Sequence, residues 1–119
     1  MAEPVVFFEV LGADGDALRS FYGDLFGWDI NKVDGPMDYG MVSGSDAGID
    51  GGIGAAPGGG PGHVTFYVHS DDPQQALSKA EALGGRTVQP PTKLPNGGVI
   101  ALVADPEGHT VGLVKPAAS

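Results

Sequence analysis

The sequence predicts an α+β fold, in which two tandem β-α-β-β-β modules form mixed sheets that curl around a shared cleft. The first observation is an internal repeat, because similar residues recur 58 positions apart without a gap, as with Phe8 and Phe66 or Gly27 and Gly85. The second is that each half combines β-rich runs with one helical stripe. The third is a linker rich in glycine and proline, at about residues 55–61, between the halves.

The first module is predicted to span about residues 4–54 and to begin with a strand at 5–10. Asp14 is a suitable N-cap for the helix that follows, and Gly27 is a suitable stop. Helical spacing is shown by an apolar stripe of Leu18, Phe21, Tyr22, Leu25 and Phe26. Three extended segments follow at about 28–33, 39–43 and 49–54, with turns at 35–36 and 44–48.

The second module is predicted to span about residues 62–115 and to repeat this order. Asp72 is the expected N-cap of its helix, Pro73 suits the first helical position, and Gln75 could complete a capping box. Gly84 and Gly85 end the helix. The four expected strands lie at about 63–68, 86–89, 99–103 and 110–114, with a turn at 105–108 before the last.

Alternation along the first strand of each module separates two sets of side chains. The set expected to face the helices is Val6, Phe8, Val10, Val64, Phe66 and Val68. The set expected to line the cleft is Val5, Phe7, Glu9, His63, Thr65 and Tyr67. The two copies therefore agree on the helix-facing side and differ on the cleft side.

Composition excludes several classes of function. A net charge of −9 repels phosphate backbones and anionic lipid surfaces, so neither nucleic acid nor a membrane is an expected partner. The chain has no cysteine, which excludes disulfides, thiolate nucleophiles and cysteine-based zinc sites. The first residues lack the basic start and long apolar run of a signal peptide, so a cytoplasmic location is expected.

Several motifs, taken in order, carry a family resemblance. They are Phe-Tyr-Gly-Asp-Leu-Phe-Gly-Trp at 21–28, His-Val-Thr-Phe-Tyr-Val at 63–68, Ala-Leu-Gly-Gly at 82–85 and Asp-Pro-Glu-Gly-His at 105–109. Together they resemble the vicinal-oxygen-chelate superfamily, which contains glyoxalase I, bleomycin-resistance proteins and extradiol dioxygenases. The resemblance implies one such domain over residues 1–119, and it does not fix an activity because one fold hosts many functions.

Metal-dependent members of that superfamily take one ligand from the first strand and one from the last strand of each module. By position, His63 is the only ligand-type residue retained here, since Val5, Gly54 and Gly112 occupy the other three positions. A catalytic metal site needs about three protein donors. His63 with Glu9 does not supply them, so neither a metal nor another cofactor is expected.

Polar residues on the cleft side are the candidate functional groups. Glu9, His63 and Tyr67 are the candidate catalytic residues, because a carboxylate, an imidazole and a phenol can move protons. The predicted ligand-binding residues are Phe7, Glu9, Met41, His63, Thr65 and Tyr67. Trp28, Met37 and Tyr39 could add to an apolar pocket, although Trp28 is better explained as core, and His69 and His109 as solvated side chains.

The chain is expected to resemble glyoxalases and bleomycin-resistance proteins but to have lost most of their metal-ligand positions. Its expected function is to bind a small organic ligand in the cleft between the modules. One alternative is a metal-independent lyase or isomerase that uses Glu9, His63 or Tyr67 for proton transfer. A second is a metal-dependent glyoxalase or dioxygenase, and a third is an interaction module without catalysis. The resemblance also implies a homodimer.

Overall fold

The computed structural model describes residues 2–117, which form a mixed α+β fold with two compact units. The first unit is Phe7–Thr65, and the second joins Met1–Val6 to Phe66–Ser119. The elements are β1 (Val5–Gly12), α1 (Gly15–Phe26), β2 (Ile30–Lys32), β3 (Tyr39–Val42), α2 (Gly44–Ala47), β4 (Asp50–Ala55), a 3₁₀ turn (Pro57–Gly59), β5 (His63–His69), α3 (Pro73–Ala82), β6 (Arg86–Lys93), β7 (Val99–Ala104) and β8 (Thr110–Lys115).

Strands of the first unit follow the order β2-β3-β4-β1. β4 runs parallel to β1 and antiparallel to β3, and Gly52 of β4 is the register partner of Glu9 on one side and of Met41 on the other. Two residues further along β4, on the same face, Gly54 is the partner of Tyr39. This register places two glycines between the longer side chains of the neighbouring strands.

Helix α1 has the ends that the sequence predicts. The Asp14 side chain accepts a hydrogen bond from the backbone N–H of Ala17 at 3.0 Å, and Gly27 closes the helix at φ 74°. That left-handed conformation favours glycine, which explains the stop. The helix packs on β4 over a core in which Val10, Val42 and Ile53 are buried.

Trp28 belongs to this core, as expected. Its ring lies 5.4 Å from that of Phe8 and 5.0 Å from that of Phe26, between ring centroids. Tyr22 stacks on it at 6.3 Å. Offset and tilted aromatic pairs of this kind stabilise packing beyond their buried area.

Arg19 is a buried cation on α1, with only 8% of its surface exposed. Its guanidinium donates to Asp16, to Asp38 and, at 3.2 Å, to the backbone carbonyl of Ile53. Burial alone would lower the pKa of Arg19, but the hydrogen bonds that its guanidinium donates to Asp38 and Asp16 raise it above its ordinary value. The charge is therefore retained inside the unit because both terminal nitrogens of the guanidinium are paired.

In the second unit the strand order is β6-β7-β8-β5, with β8 parallel to β5 and antiparallel to β7. Asp72 caps α3, since its side chain accepts from the backbone N–H of Gln75 at 3.1 Å, and Pro73 is the first helical residue. Leu77 of α3 is 1% exposed, and Ala101 and Ala104 of β7 are fully buried. This cap and the proline are as the sequence predicts.

Two segments differ from their predictions. Residues 44–48 were expected to be a turn, but they contain the short helix α2. The Ser43 hydroxyl caps this helix by accepting a hydrogen bond from the backbone N–H of Ser45, and Gly48 ends it at φ 94°. Strand β6 was expected to end at Gln89, but it continues to Lys93 with register shifts against β7. Since β6 is an edge strand of its unit, it tolerates Pro90 and Pro91, which lack a backbone N–H.

Strand β5 also departs from expectation in the burial of its side chains. Val64 and Phe66, expected to lie under a helix, are 76% and 42% exposed, whereas Thr65 and Tyr67 are 8% and 6% exposed. Within the second unit, α3 packs mainly on β6 and β7. Among residues 2–117, no helix is both long and apolar enough to cross a membrane.

Candidate functional site

Glu9 is a buried carboxylate in the middle of β1, with 9% of its surface exposed. Alternation along the strand puts Phe8 and Val10 against the core under α1 and turns Glu9 to the opposite face. A buried carboxylate is costly unless hydrogen bonds replace its lost water. The partners of Glu9 therefore define the site.

Two side chains of the first unit bind the two oxygens of that carboxylate. The Tyr39 hydroxyl donates to Oε2 of Glu9 at 2.7 Å, and Nε2 of His63 lies 2.8 Å from Oε1. Tyr39 begins β3 and His63 begins β5, so three separate strands supply the network. We call Glu9, Tyr39 and His63 the carboxylate network.

Gly52 makes the approach of Tyr39 possible. A Cβ atom at Gly52 would lie 1.8 Å from the Tyr39 hydroxyl oxygen and 2.1 Å from the ring carbon that bears it. No side chain fits at that distance, so the phenol crosses β4 only because the position opposite Glu9 is glycine.

The network leaves the imidazole accessible. The His63 side chain is 23% exposed and that of Glu9 12% exposed. A small molecule can therefore reach His63 while the carboxylate behind it stays largely dry. A carboxylate that holds an imidazole is an arrangement suited to accepting or donating protons at the far ring nitrogen.

The remaining predicted ligand-binding residues are distributed as follows. In the first unit, Phe7 is half-buried, Met41 is 38% exposed and Thr65 is buried. Tyr67 is buried in the second unit, where its ring lies over Gly112. The shared cleft and a role for Tyr67 in it remain predictions from the sequence.

Tyr39 was expected only as an apolar pocket residue, and its role as a partner of Glu9 was not predicted. Its hydroxyl reaches the carboxylate across Gly52, and only the β3–β4 register reveals this. The adjacent glycines at 51 and 52 were a usable signal, because glycine inside a strand often marks a close approach by another group.

His69 and His109 belong to the second unit and are not members of the carboxylate network. Nδ1 of His109, which is 73% exposed, lies 3.0 Å from Oδ2 of Asp105, and Nε2 of His69 lies 3.8 Å from Oδ1 of Asp71. The backbone N–H of His109 donates to Asp105, and this bond, with those from the His109 ring and the Glu107 N–H, lowers the pKa of Asp105. The Asp105–His109 contact belongs to the turn before β8.

The residues present do not fit the metal centre of metal-dependent superfamily members. Within residues 2–117, no three His, Cys, Asp or Glu side chains come together. A Cβ at Gly54 would lie 2.2 Å from the backbone oxygen of Asp38, and one at Gly112 would lie 2.3 Å from the Tyr67 ring. Neither position has room for a carboxylate, so we derive no chemistry through a metal.

Comparison with known proteins places this chain in a family. Residues 6–114 match the family model of the glyoxalase-like domain. The chain is 27% identical over 115 residues to CFP32 of Mycobacterium bovis and of Mycobacterium tuberculosis, a protein to which a glyoxylase activity is ascribed. The alignment covers 95% of this chain and 44% of CFP32, so the chain spans less than half the length of these relatives.

Solved structures share the fold at low sequence identity. Methylmalonyl-CoA epimerase from Mycobacterium tuberculosis superposes with a TM-score of 0.68 at 14% identity, over 96% of this chain and 88% of that one. A glyoxalase/bleomycin resistance protein/dioxygenase superfamily member from Vibrio splendidus gives 0.65 at 15% identity, over 97% and 100%. The match over residues 6–114 shows that the chain belongs to the glyoxalase-like domain family, which confirms the membership of the vicinal-oxygen-chelate superfamily that the sequence motifs predicted.

Proposed function

We propose that the chain binds a small organic molecule against the exposed edge of His63, with Glu9 and Tyr39 as a fixed polar backing. The observation that carries this proposal is the carboxylate network, in which both oxygens of a buried carboxylate are held while the imidazole stays 23% exposed. Binding sites for small molecules combine a few convergent polar groups with apolar walls.

Apolar side chains on the same face of the first unit support an organic ligand over a simple ion. Phe7 lies two residues before Glu9 on β1, and Met41 lies across Gly52 from Glu9. Thr65, two residues after His63 on β5, is a further candidate contact. Tyr67 also remains a candidate, on the sequence prediction alone.

A thermal-shift screen tests the binding proposal. The panel should contain aromatic acids, aromatic amines and 2-oxoaldehydes, and we expect one class to raise the melting temperature in a concentration-dependent way. His63→Ala should abolish the shift, and the matched control His109→Ala should keep it. A lack of stabilisation by every class, or an unchanged shift in His63→Ala, would overturn the proposal.

A metal-independent lyase or isomerase is the second candidate function, and the 2.8 Å contact between Glu9 and His63 favours it. A carboxylate that orients an imidazole is a common general-base arrangement. The names of the relatives, an epimerase and a protein with ascribed glyoxylase activity, support carbonyl compounds as substrates. Turnover of such compounds in chelator-treated protein should vanish in Glu9→Gln and His63→Ala, and turnover unaffected by both changes would exclude this function.

The metal-dependent glyoxalase or dioxygenase is disfavoured by the donor set described above. The homodimer and the cytoplasmic location stay predictions. Sedimentation equilibrium of the purified chain tests the dimer directly. A single species with the mass of a monomer would contradict it.

A further inference from the structure

We propose that the second unit carries a binding site for a small aliphatic amine, in the groove between α3 and the segment that precedes β1. The ammonium group binds at the Ser70 hydroxyl, and the hydrocarbon chain lies along α3. All residues of this site belong to the second unit, whereas the carboxylate network belongs to the first. The site does not depend on the function proposed above, so the two proposals can fail separately.

The groove has a volume of about 950 Å³, which suits a small organic molecule. One wall is the segment before β1, because the backbone N–H of His69 donates to the carbonyl of Pro4 at 2.9 Å. This bond keeps the neighbouring Glu3 beside the end of β5, where it lines the groove. The other wall is one side of α3.

Ser70 supplies a buried polar group that the fold leaves unpaired. The residue is 2% exposed and lines the groove, and its backbone N–H donates to the carbonyl of Val114 at 2.9 Å. Its hydroxyl forms no hydrogen bond with any residue between positions 2 and 117. Every fully enclosed side-chain nitrogen or oxygen in that range has a partner, so this hydroxyl must reach the open space of the groove. Since an unpaired buried hydroxyl is costly, it marks a point where a ligand can bind.

Helix capping does not require the polar groups at this end of the groove. Asp14 and Asp72 cap the helices that follow β1 and β5, and each accepts from a backbone N–H three residues on. The two residues before Asp14 have no polar side chain, whereas those before Asp72 are Ser70 and Asp71. The hydroxyl and the additional carboxylate are therefore not part of the cap that both helices share.

The charges along the groove select a cationic ligand. Among the described residues, its lining has three carboxylates and one cation, which are Glu3, Asp71, Asp72 and Lys79. Ionised carboxylates only accept hydrogen bonds, and an ammonium group offers three donors to them and to a hydroxyl oxygen. A metal ion fits less well, because the described residues bring no three ligand-type side chains together.

Helix α3 provides apolar surface for the hydrocarbon part of the ligand. Ala76, Ala80 and Leu83 recur at intervals of four and three residues, so they form one stripe along the helix, and all three line the groove. Leu83 is 70% exposed. The stripe begins one turn after Asp72, so a short methylene chain held at Ser70 can lie along it.

Titration of the folded chain with n-butylamine, followed by nitrogen-15 NMR of the backbone amides, tests the site. We expect saturable shifts around Ser70 and the first turns of α3, and no such shifts with butyrate. Ser70→Ala should weaken binding at least about tenfold, since it removes a hydrogen bond to a charged group. The matched control Ser20→Ala, at an exposed position of α1, should keep the affinity. Shifts spread over the whole acidic surface, or an unchanged affinity in Ser70→Ala, would overturn the proposal.

A measurement without ligand separates binding from a structural role. Because the Ser70 hydroxyl has no partner among the described residues, Ser70→Ala should leave the urea midpoint unchanged. A lower midpoint would show that the hydroxyl serves the fold and would overturn the proposal.

Two further comparisons locate the amine. Asp71→Asn and Asp24→Asn remove the same charge from the groove and from α1, and only Asp71→Asn should weaken binding. Equal weakening would show non-specific attraction to an acidic chain. His63→Ala should bind n-butylamine normally, and a loss there would move the amine to the carboxylate network and overturn this site. No amine binding, with a ligand of the thermal-shift screen still dependent on His63, would overturn this proposal and leave the proposed function standing.

Discussion

The carboxylate of Asp38 binds the guanidinium of Arg19, although the two residues lie 19 positions apart. Asp38 directly precedes β3, and Arg19 lies on α1. The same guanidinium reaches the carbonyl of Ile53 inside β4, so one side chain ties the helix to both strands. Gly15 and Gly40 provide the space, because a Cβ at either would lie within 2.9 Å of the Arg19 side chain. α1 is thus fixed over β3 and β4 by charge as well as by apolar packing.

Arg19→Met should destabilise the fold by about 1–3 kcal/mol, mainly because it removes the buried, charged hydrogen bond to the carbonyl of Ile53. Asp16 and Asp38 are partly exposed and can return to water. Urea denaturation measures the change. Lys32→Met is the control and should stay within about 0.5 kcal/mol, since Lys32 is 58% exposed and 4.0 Å from its acidic partners. Equal losses in the two variants would contradict this account.

Acid should weaken the turn before β8. Because the pKa of Asp105 is lowered in the folded chain, its stabilising effect is complete above the unfolded value of about 3.9 and is lost as the pH falls through the folded value. The unmodified chain should therefore melt higher than Asp105→Asn at about pH 6. Calorimetry at successively lower pH should show this difference shrinking below about pH 4, and a constant difference would refute the linkage.

Gly112→Ala should destabilise the second unit by about 1–3 kcal/mol, because the new methyl group would overlap the Tyr67 ring. Chemical denaturation provides the measurement. Gly60→Ala is the matched control, since the nearest atom to its Cβ would be 3.5 Å away and its φ is −70°. If the loss arises from the ring, Gly112→Ala should cost less stability in a Tyr67→Ala background than in the unmodified chain, and an equal cost in both would point to a backbone cause.

Divalent cations should leave the melting temperature unchanged. The described residues bring no three ligand-type side chains together, so zinc, nickel, cobalt or manganese has no site that folding would preform. Metal analysis of the purified protein and melting curves with and without chelator check this. Stoichiometric metal, or a stabilisation lost in His63→Ala, would show that the donor set has been assigned wrongly.

The sequence predicts the capped ends of the long helices because capping is a local property. Asp14, Asp72 and Gly27 each act on a backbone group within four residues, so no distant contact is needed to identify them. Glu9 and His63 were also expected on one side of the strands, since alternation is local as well. Their direct contact was not predicted, because alternation does not show which strands are neighbours.

Other features depend on partners that the sequence does not reveal. Tyr39 reaches Glu9 only because the β3–β4 register puts Gly52 between them. Val64 and Phe66 were expected under a helix, yet they are 76% and 42% exposed, and periodicity alone does not fix where a helix lies. Tertiary placement, unlike local propensity, is set by contacts between distant residues.

The glycine at position 54 has a consequence for the evolutionary reversibility of this chain. A mutation there to a chelating residue would meet the backbone oxygen of Asp38 at 2.2 Å, and no change of side-chain rotamer relieves a clash with backbone. A lineage could therefore acquire a carboxylate at this position only after, or together with, a shift of the chain entering β3. The route from this sequence to a metal-chelating one is not a single substitution, and any engineering effort in that direction should begin with the loop and not with the ligand.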